Sequence, residues 1–330
     1  MIISRTPFRI SFFGGGTDYP AWYEDHGGAV LSTTIDKYCY ITCRNLPPFF
    51  EHKHRIVYSI IENVKTIEEI KHPAVRAVLQ MLEVEQGVEI HHDADLPARS
   101  GIGSSSAFTV GILNSVHALR HRMRTKQQLA EEAIHVERDM LAESVGSQDQ
   151  VACAYGGLNR ISFRRDGRFA VEPMILPRER LDEFQDHLML FFTGFSRYAS
   201  TIAAAQIEQT PKRLSELTRM HEMVEEAKAV LASSDDIRAF GELMDESWRL
   251  KRSLTEKIST SDIDAIHDAA RGAGAVGGKL LGAGGGGFML FFVPPERQAS
   301  VREALGSLLE VGFRFDTTGS QIMYYGDTAS

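Results

Sequence analysis

The sequence predicts an α+β protein built as two mixed halves. Three observations carry that expectation. The chain has 330 residues, more than one ordinary domain needs. Strand-like and helix-like segments occur in both halves, without the regular βαβ alternation of a parallel sheet. Three glycine clusters, 14–16, 101–106 (with its serines) and 282–287, are spread through an otherwise ordinary composition.

In the first half, "RTPFRISFF" alternates as a strand and runs into Gly14–Gly16. "AVLSTTIDKYCYITCRN" reads as one or two strands, and "HRIVYSI" and "GVEIHHDADLP" as further strands. "HPAVRAVLQMLEVEQG" has Val75, Val78, Leu79 and Leu82 on one helical side and should stop at Gly87. "AFTVGILNSVHALRH" is apolar around most of its circumference, the mark of a buried helix. Thr125 should cap the helix that follows. In the second half "DHLMLFFTG" is a buried strand and "TPKRLSELTRM" a helix capped by Thr210. Two more helices follow, "DDIRAFGELMDESWRLKRSL" and "SDIDAIHDAARGAGA". "GFMLFFVPP" (strand), "ERQASVREALGSLLE" (helix), "GFRFD" and "QIMYYG" (strands) close the chain. The boundary falls near residues 177–186, giving units 1–182 and 183–330.

A formal net charge of −8 argues against a nucleic-acid partner. No apolar run is long enough for a membrane span, and the first residues lack the pattern of a signal peptide. Cys39, Cys43 and Cys153 offer no disulfide framework and fit a reducing cytoplasm, as buried thiols.

One glycine cluster usually marks a turn; three point to backbone approaching a ligand. No stretch satisfies the Walker A pattern: "AGAVGGKLL" begins on Ala273 and places Leu280 after Lys279. Gly282, Gly284 and Gly287 match GxGxxG, but between a helix and a strand, the reverse of a dinucleotide loop. "LPARSGIGSSSAF" follows a strand and opens a buried helix. Its free N–H groups and positive dipole end make an anion site, with Gly101 and Gly103 clearing the approach and Ser104, Ser105 and Ser106 adding hydroxyls.

The ordered set "RTPFRISFFGGGTDYP", "LPARSGIGSSSAF" and "KLLGAGGGGFMLFF" resembles the three motifs of the small-molecule kinases named for galactokinase, homoserine kinase, mevalonate kinase and phosphomevalonate kinase, the GHMP kinases. The resemblance spans residues 5–292. It implies an ATP-binding first half like domain 2 of ribosomal protein S5, with a left-handed βαβ crossover. It also implies a ferredoxin-like second half and an active site between them. Thr17, Asp18 and Tyr19 match the sugar-kinase branch, but Gly15 and Gly16 replace the Glu-His pair of galactokinases. The segments "ISFFGGGTDYPAWY", "GGAVLSTTIDKYCYI" and "GKLLGAGGGGF" look most like those of D-glycero-D-manno-heptose 7-phosphate kinases, with fucokinases also near.

That resemblance implies ATP and Mg2+ as cofactors and a sugar or sugar phosphate as substrate. ATP phosphates would lie on Gly101, Gly103 and Ser104–Ser106, and the metal on Ser105 and Glu137, with Glu132 and Glu143 as fallback ligands. Glu137 and Asp149 stand one residue further apart than in some relatives. Asp149 would act on the attacking hydroxyl, and Arg9 would stabilise negative charge beside it. Gly15, Gly16, Thr17, Asp18, Gly284 and Gly285 would hold the sugar. A phosphate already on the substrate would need a cation, with Arg197 and Lys251 ahead of Arg252 and Lys53. Four competing readings are a kinase of a free sugar, another reaction on this fold, a binding regulator without turnover, and a Rossmann oxidoreductase. A homodimer is compatible with the sequence.

Overall fold

The computed structural model describes residues 1–194 and 199–326. In the first half the strands are β1 (Ile2–Phe13), β2 (Gly28–Asn45), β3 (His54–Val57), β4 (Ile61–Val64), β5 (Val88–Ala94), β6 (Asn159–Phe163) and β7 (Phe169–Pro173). The helices are α1 (Pro20–His26), α2 (Pro73–Met81), α3 (Ser104–Leu119), α4 (Lys126–Ile134), α5 (Gln148–Tyr155) and α6 (Arg178–Asp186). β2 is long enough to serve two partners on one edge, β6 near its start and β5 near its end, while β1 runs antiparallel along the other. Cys39 and Cys43 lie on one face of β2, both buried and unbonded. α3 is buried along most of its length against β1 and β2, as its unbroken apolarity predicts.

Two helix ends differ from expectation. α2 stops at Met81, because Leu82 donates to the Val78 and Gln80 carbonyls and Glu83 takes φ +49°, so the turn precedes Gly87. α8 (Leu214–Ala232) starts four residues after Thr210. The Thr210 hydroxyl donates back to the Gln206 carbonyl, which removes it as a cap. Thr125 does cap α4, in a reciprocal box with Gln128 (3.2 and 3.0 Å).

The second half contains β8 (Leu188–Phe192), α7 (Ala199–Gln209), α8, α9 (Arg238–Leu254), α10 (Ser261–Gly272), β9 (Gly277–Leu280), β10 (Phe288–Phe292), α11 (Gln298–Ala304) and β11 (Leu309–Glu310). Its antiparallel sheet has the order β11-β8-β10-β9. Numbered within this half, that order is fourth-first-third-second, the ferredoxin-like arrangement. β12 (Phe315–Asp316) and β13 (Gln321–Tyr325) return to the first sheet and pair with β2 and β1. The expected split at 182/183 therefore cuts α6 and gives the second unit two strands that belong to the first sheet.

The halves are joined by aromatic packing. The Phe240 ring on α9 lies 5.6 and 5.0 Å from Phe12 and Phe13 at the end of β1, 4.6 Å from Phe184 on α6 and 6.1 Å from Phe292 on β10. All five are buried. Phe240→Ala should cost about 3–5 kcal/mol in a denaturant titration and loosen both halves together. A loss under about 1 kcal/mol would contradict this shared core.

Candidate active site

The strand β1 delivers Arg9 to the junction of the halves. Its guanidinium donates to both carboxylate oxygens of Asp149 (2.6 Å each) and to the Gly101 carbonyl (2.6 Å). Burial opposes the charge on Arg9, but the neighbouring Asp149 carboxylate and its hydrogen bonds outweigh that and raise its pKa. Asp149 sits in the first turn of α5, a quarter exposed to the cleft. A β-carbon on Gly103 would lie 3.0 Å from Arg9 Cγ, so a glycine here lets the loop close over the pair.

Gly103, at φ +72°, turns the chain into α3, whose free N–H groups open onto the same cleft. Ser104, Ser105 and Ser106 line it with Gly101 and Gly103. Opposite lie Gly15, Gly16 and Asp18. The Asp18 carboxylate accepts from the Gly16 N–H (2.9 Å), and burial raises its pKa. Gly146 has to be small, since a β-carbon there would fall 1.8 Å from Asp18 Oδ2. Thr17 does not face the cleft. Its hydroxyl donates to the Gly14 and Ala29 carbonyls (2.9 Å each) and pins the loop from behind.

The second half closes the cleft with Lys251, Lys279, Gly282 and Ala283. Phe240, Met244, Trp248 and Lys251 follow one another at helical spacing, so Lys251 lies on the buried face of α9. Its ammonium donates to the Gly282 carbonyl. Burial, then Arg9, lowers its pKa to about 8 against the pull of Asp18 and Asp149. Lys279 donates to the Ser11 and Phe12 carbonyls (2.9 and 2.7 Å), and burial drives its pKa well down. Gly284 and Gly285 lie elsewhere than expected. The Gly285 N–H bonds the Ile258 carbonyl (2.9 Å), and Gly284 packs on the Ile258 backbone. The same loop backs the loop at Gly101: a β-carbon on Gly282 would lie 2.4 Å from the Gly101 α-carbon.

Glu137 sits in a π-helical turn, His135–Met140, which continues α4. Such a turn closes i to i+5 hydrogen bonds and so takes up one residue more than an α-helical turn. Ser106 and Thr109 donate to its carboxylate (2.8 Å each), as does Gln150. Ser106, not Ser105, is the serine bonded to it; Ser105 is exposed at the cleft mouth. Burial without any cationic partner raises the Glu137 pKa to about 7, against its neutral donors. A buried carboxylate held only by groups that can turn away suits a divalent cation, and magnesium needs few protein ligands. Glu132 is instead bonded to His117 (2.6 Å) and Arg124 (2.9 Å). Glu143 lines the adjoining chamber.

That chamber shares Arg99, Ser104 and Ser105 with the cleft. Its walls are flat: His72 stacks on Phe108 (4.6 Å), while His92 and Tyr58 meet that pair edge-on. Burial first, then His92, pushes His72 down to about 4, and burial also lowers His92, so both are neutral near pH 7. Arg252 is bonded to Asp264 (2.7 Å), and neither it nor Lys53 lines the cleft. Arg197 lies outside the described residues.

The family model for the GHMP kinases N terminal domain matches residues 66–157, and that for the GHMP kinases C terminal domain matches 215–311, together more than half of the chain. The chain belongs to the GHMP kinases. It is accordingly an ATP-using phosphotransferase with a hydroxyl acceptor. Among its GHMP relatives, a D-glycero-alpha-D-manno-heptose 7-phosphate kinase of Campylobacter jejuni is 28% identical over 92% of this chain and 93% of its own. A mevalonate kinase of Pyrococcus abyssi is 30% identical over 70% of this chain and 67% of its own. The fold is shared with a D-glycero-D-manno-heptose 1-phosphate kinase from Bacteroides thetaiotaomicron, with a TM-score of 0.81, 23% identity, and 99% and 100% of the two chains covered. No described helix is long and apolar enough to cross a membrane.

Sequence reasoning missed Thr109 and Gln150 around Glu137, and Lys279 in the cleft. Ser106 and Thr109 stand three apart, one polar stripe on an apolar helix, and that spacing was the available signal. Since the folded protein keeps a proton on Glu137 up to about pH 7, while an unfolded glutamate loses it near ~4.3, this residue's contribution to stability falls as pH rises through that window. The loss is on the order of 3 kcal/mol. Glu137→Gln should therefore melt progressively higher than the native protein from pH 5 to pH 8. A constant difference would contradict the assignment.

Proposed function

We propose that this kinase transfers the γ-phosphoryl group of ATP to the anomeric hydroxyl of a phosphorylated sugar, D-glycero-D-manno-heptose 7-phosphate. The observation that carries the reading is one cleft in which Arg9, Asp149 and Lys251 face the Gly15–Gly16–Asp18 loop beside the start of α3. The near-full-length likeness to a heptose 7-phosphate kinase supports the sugar class.

In this reading the base of ATP lies among Tyr58, His72, His92 and Phe108, and its phosphates on Gly101, Gly103 and Ser104–Ser106. Glu137, with Ser105 or Ser106, holds Mg2+, which neutralises phosphate charge when bound. Asp18 accepts hydrogen bonds from ring hydroxyls. Asp149 orients the attacking hydroxyl and accepts its proton as the oxygen–phosphorus bond forms and ADP leaves. Arg9 holds Asp149 in place, and Lys251 brings a positive charge from the second half to the reacting oxygens. Arg197 remains the candidate for the phosphate the substrate already carries. A free sugar is the second reading, favoured because Asp18 and its loop bear on ring hydroxyls that such a substrate also has.

The test is ADP release with Mg-ATP against the heptose 7-phosphate, mannose 6-phosphate, fucose, galactose and mannose. Selective turnover of the heptose phosphate is expected; turnover of a free sugar alone would overturn the favoured substrate. Lys251→Met should lower kcat about tenfold to a thousandfold with the KM for ATP within a few-fold. An unchanged kcat would remove Lys251 from the reacting site.

A further inference from the structure

Among the described residues, four buried polar atoms around the cleft have no hydrogen-bond partner: Ser11 Oγ, Gln148 Oε1, Gln150 Oε1 and Gln206 Nε2. Their residues are 6%, 9%, 1% and 2% exposed, and all four line the cleft; Gln150 is already turned to Glu137 through its amide nitrogen. A buried polar atom left unmatched is costly and uncommon in folded proteins. Four in one cleft, two acceptors, a donor and a hydroxyl able to serve as either, are the complement of a polyhydroxylated ligand.

The two glutamines lie across neighbouring glycines of the first loop. A β-carbon on Gly15 would stand 3.7 Å from Gln148 Nε2, and one on Gly16 only 2.5 Å from Gln206 Nε2. Gly16 also takes φ +111°, so this position needs glycine twice, for its backbone and for Gln206. The two amides come from different halves. Gln148 opens α5 beside Asp149, and Gln206 comes from α7. Gln206 shares the buried face of α7 with Ile202 and Ala203, where an apolar residue would serve packing alone.

We propose that Gln206 and Gln148 are the substrate-reading pair of this kinase, Gln206 donating to one sugar hydroxyl and Gln148 accepting from another. This rests on the sugar-kinase reading above. The pair sets which sugar is accepted, and α7 joins the substrate to the second half.

The experiment is steady-state kinetics of native protein, Gln206→Leu and Gln148→Leu with Mg-ATP and D-glycero-D-manno-heptose 7-phosphate. The series is repeated with monodeoxy analogues of that sugar, and thermal melts monitor folding. Each variant should raise the KM for the sugar about tenfold or more and leave the KM for ATP unchanged. One deoxy analogue per glutamine should abolish the difference between native and variant. Should a leucine variant not fold, Gln206→Glu removes the donor at the same length and Gln148→Met the acceptor. Unchanged KM values in the variants, with the native protein turning the sugar over, would overturn this inference alone. So would a penalty equal across all analogues. Absence of turnover of any sugar by native protein would overturn the sugar-kinase reading, and this inference with it.

Discussion

The fork of Arg9 on Asp149 is the contact on which the site depends. It joins three pieces of chain far apart in sequence: strand β1, the loop at Gly101 and the first turn of α5. A guanidinium donates in a rigid plane, so two bonds to one carboxylate and a third to a carbonyl fix all three pieces together. The buried arginine keeps its charge because Asp149 compensates for lost water. Without the carboxylate a buried cation would be left facing one carbonyl, which is costly. The ion pair is thus part of the fold and, in the proposed mechanism, part of the chemistry at once.

Around that contact the glycine clusters divide their tasks. Gly103 makes room for Arg9, while Gly101 and Gly282 let the serine-rich loop press against the loop of the second half. The first cluster admits side chains from both halves. The third serves mainly as backing, which is why Gly284 and Gly285 face Ile258 and not the cleft. Lys279 adds a second tie by reaching across to the carbonyls at the end of β1. Aromatic packing at Phe240 holds the halves from behind, and the polar ties set their facing surfaces.

Much of this was legible in the sequence, for identifiable reasons. The strands of "RTPFRISFF" and "GFMLFF" and the buried helix after the serines follow from local periodicity. The family resemblance, and not local pattern, pointed to Arg9, Asp18, Asp149 and Glu137 as polar groups near the junction. What stayed hidden depends on contacts remote in sequence. Nothing local shows that β12 and β13 pair with the first sheet, or that the Thr210 hydroxyl turns back to Gln206. That Ser106 and not Ser105 is bonded to Glu137 is set by helix phase, which decides which serine faces it. Gln206 sits in an alanine-rich segment with no motif, and its place over Gly16 is visible only in three dimensions.

The central claim is that Asp149, held by Arg9, acts on the attacking hydroxyl. The direct measurement is kcat of Asp149→Asn with Mg-ATP and the accepted sugar, alongside thermal melting and the KM of both substrates. The account predicts a fall of roughly 10²–10⁴ in kcat, with the protein still folded at the assay temperature though melting lower than native, and both KM values within a few-fold. A kcat close to that of the native protein would contradict it and return the Arg9–Asp149 pair to a purely structural role.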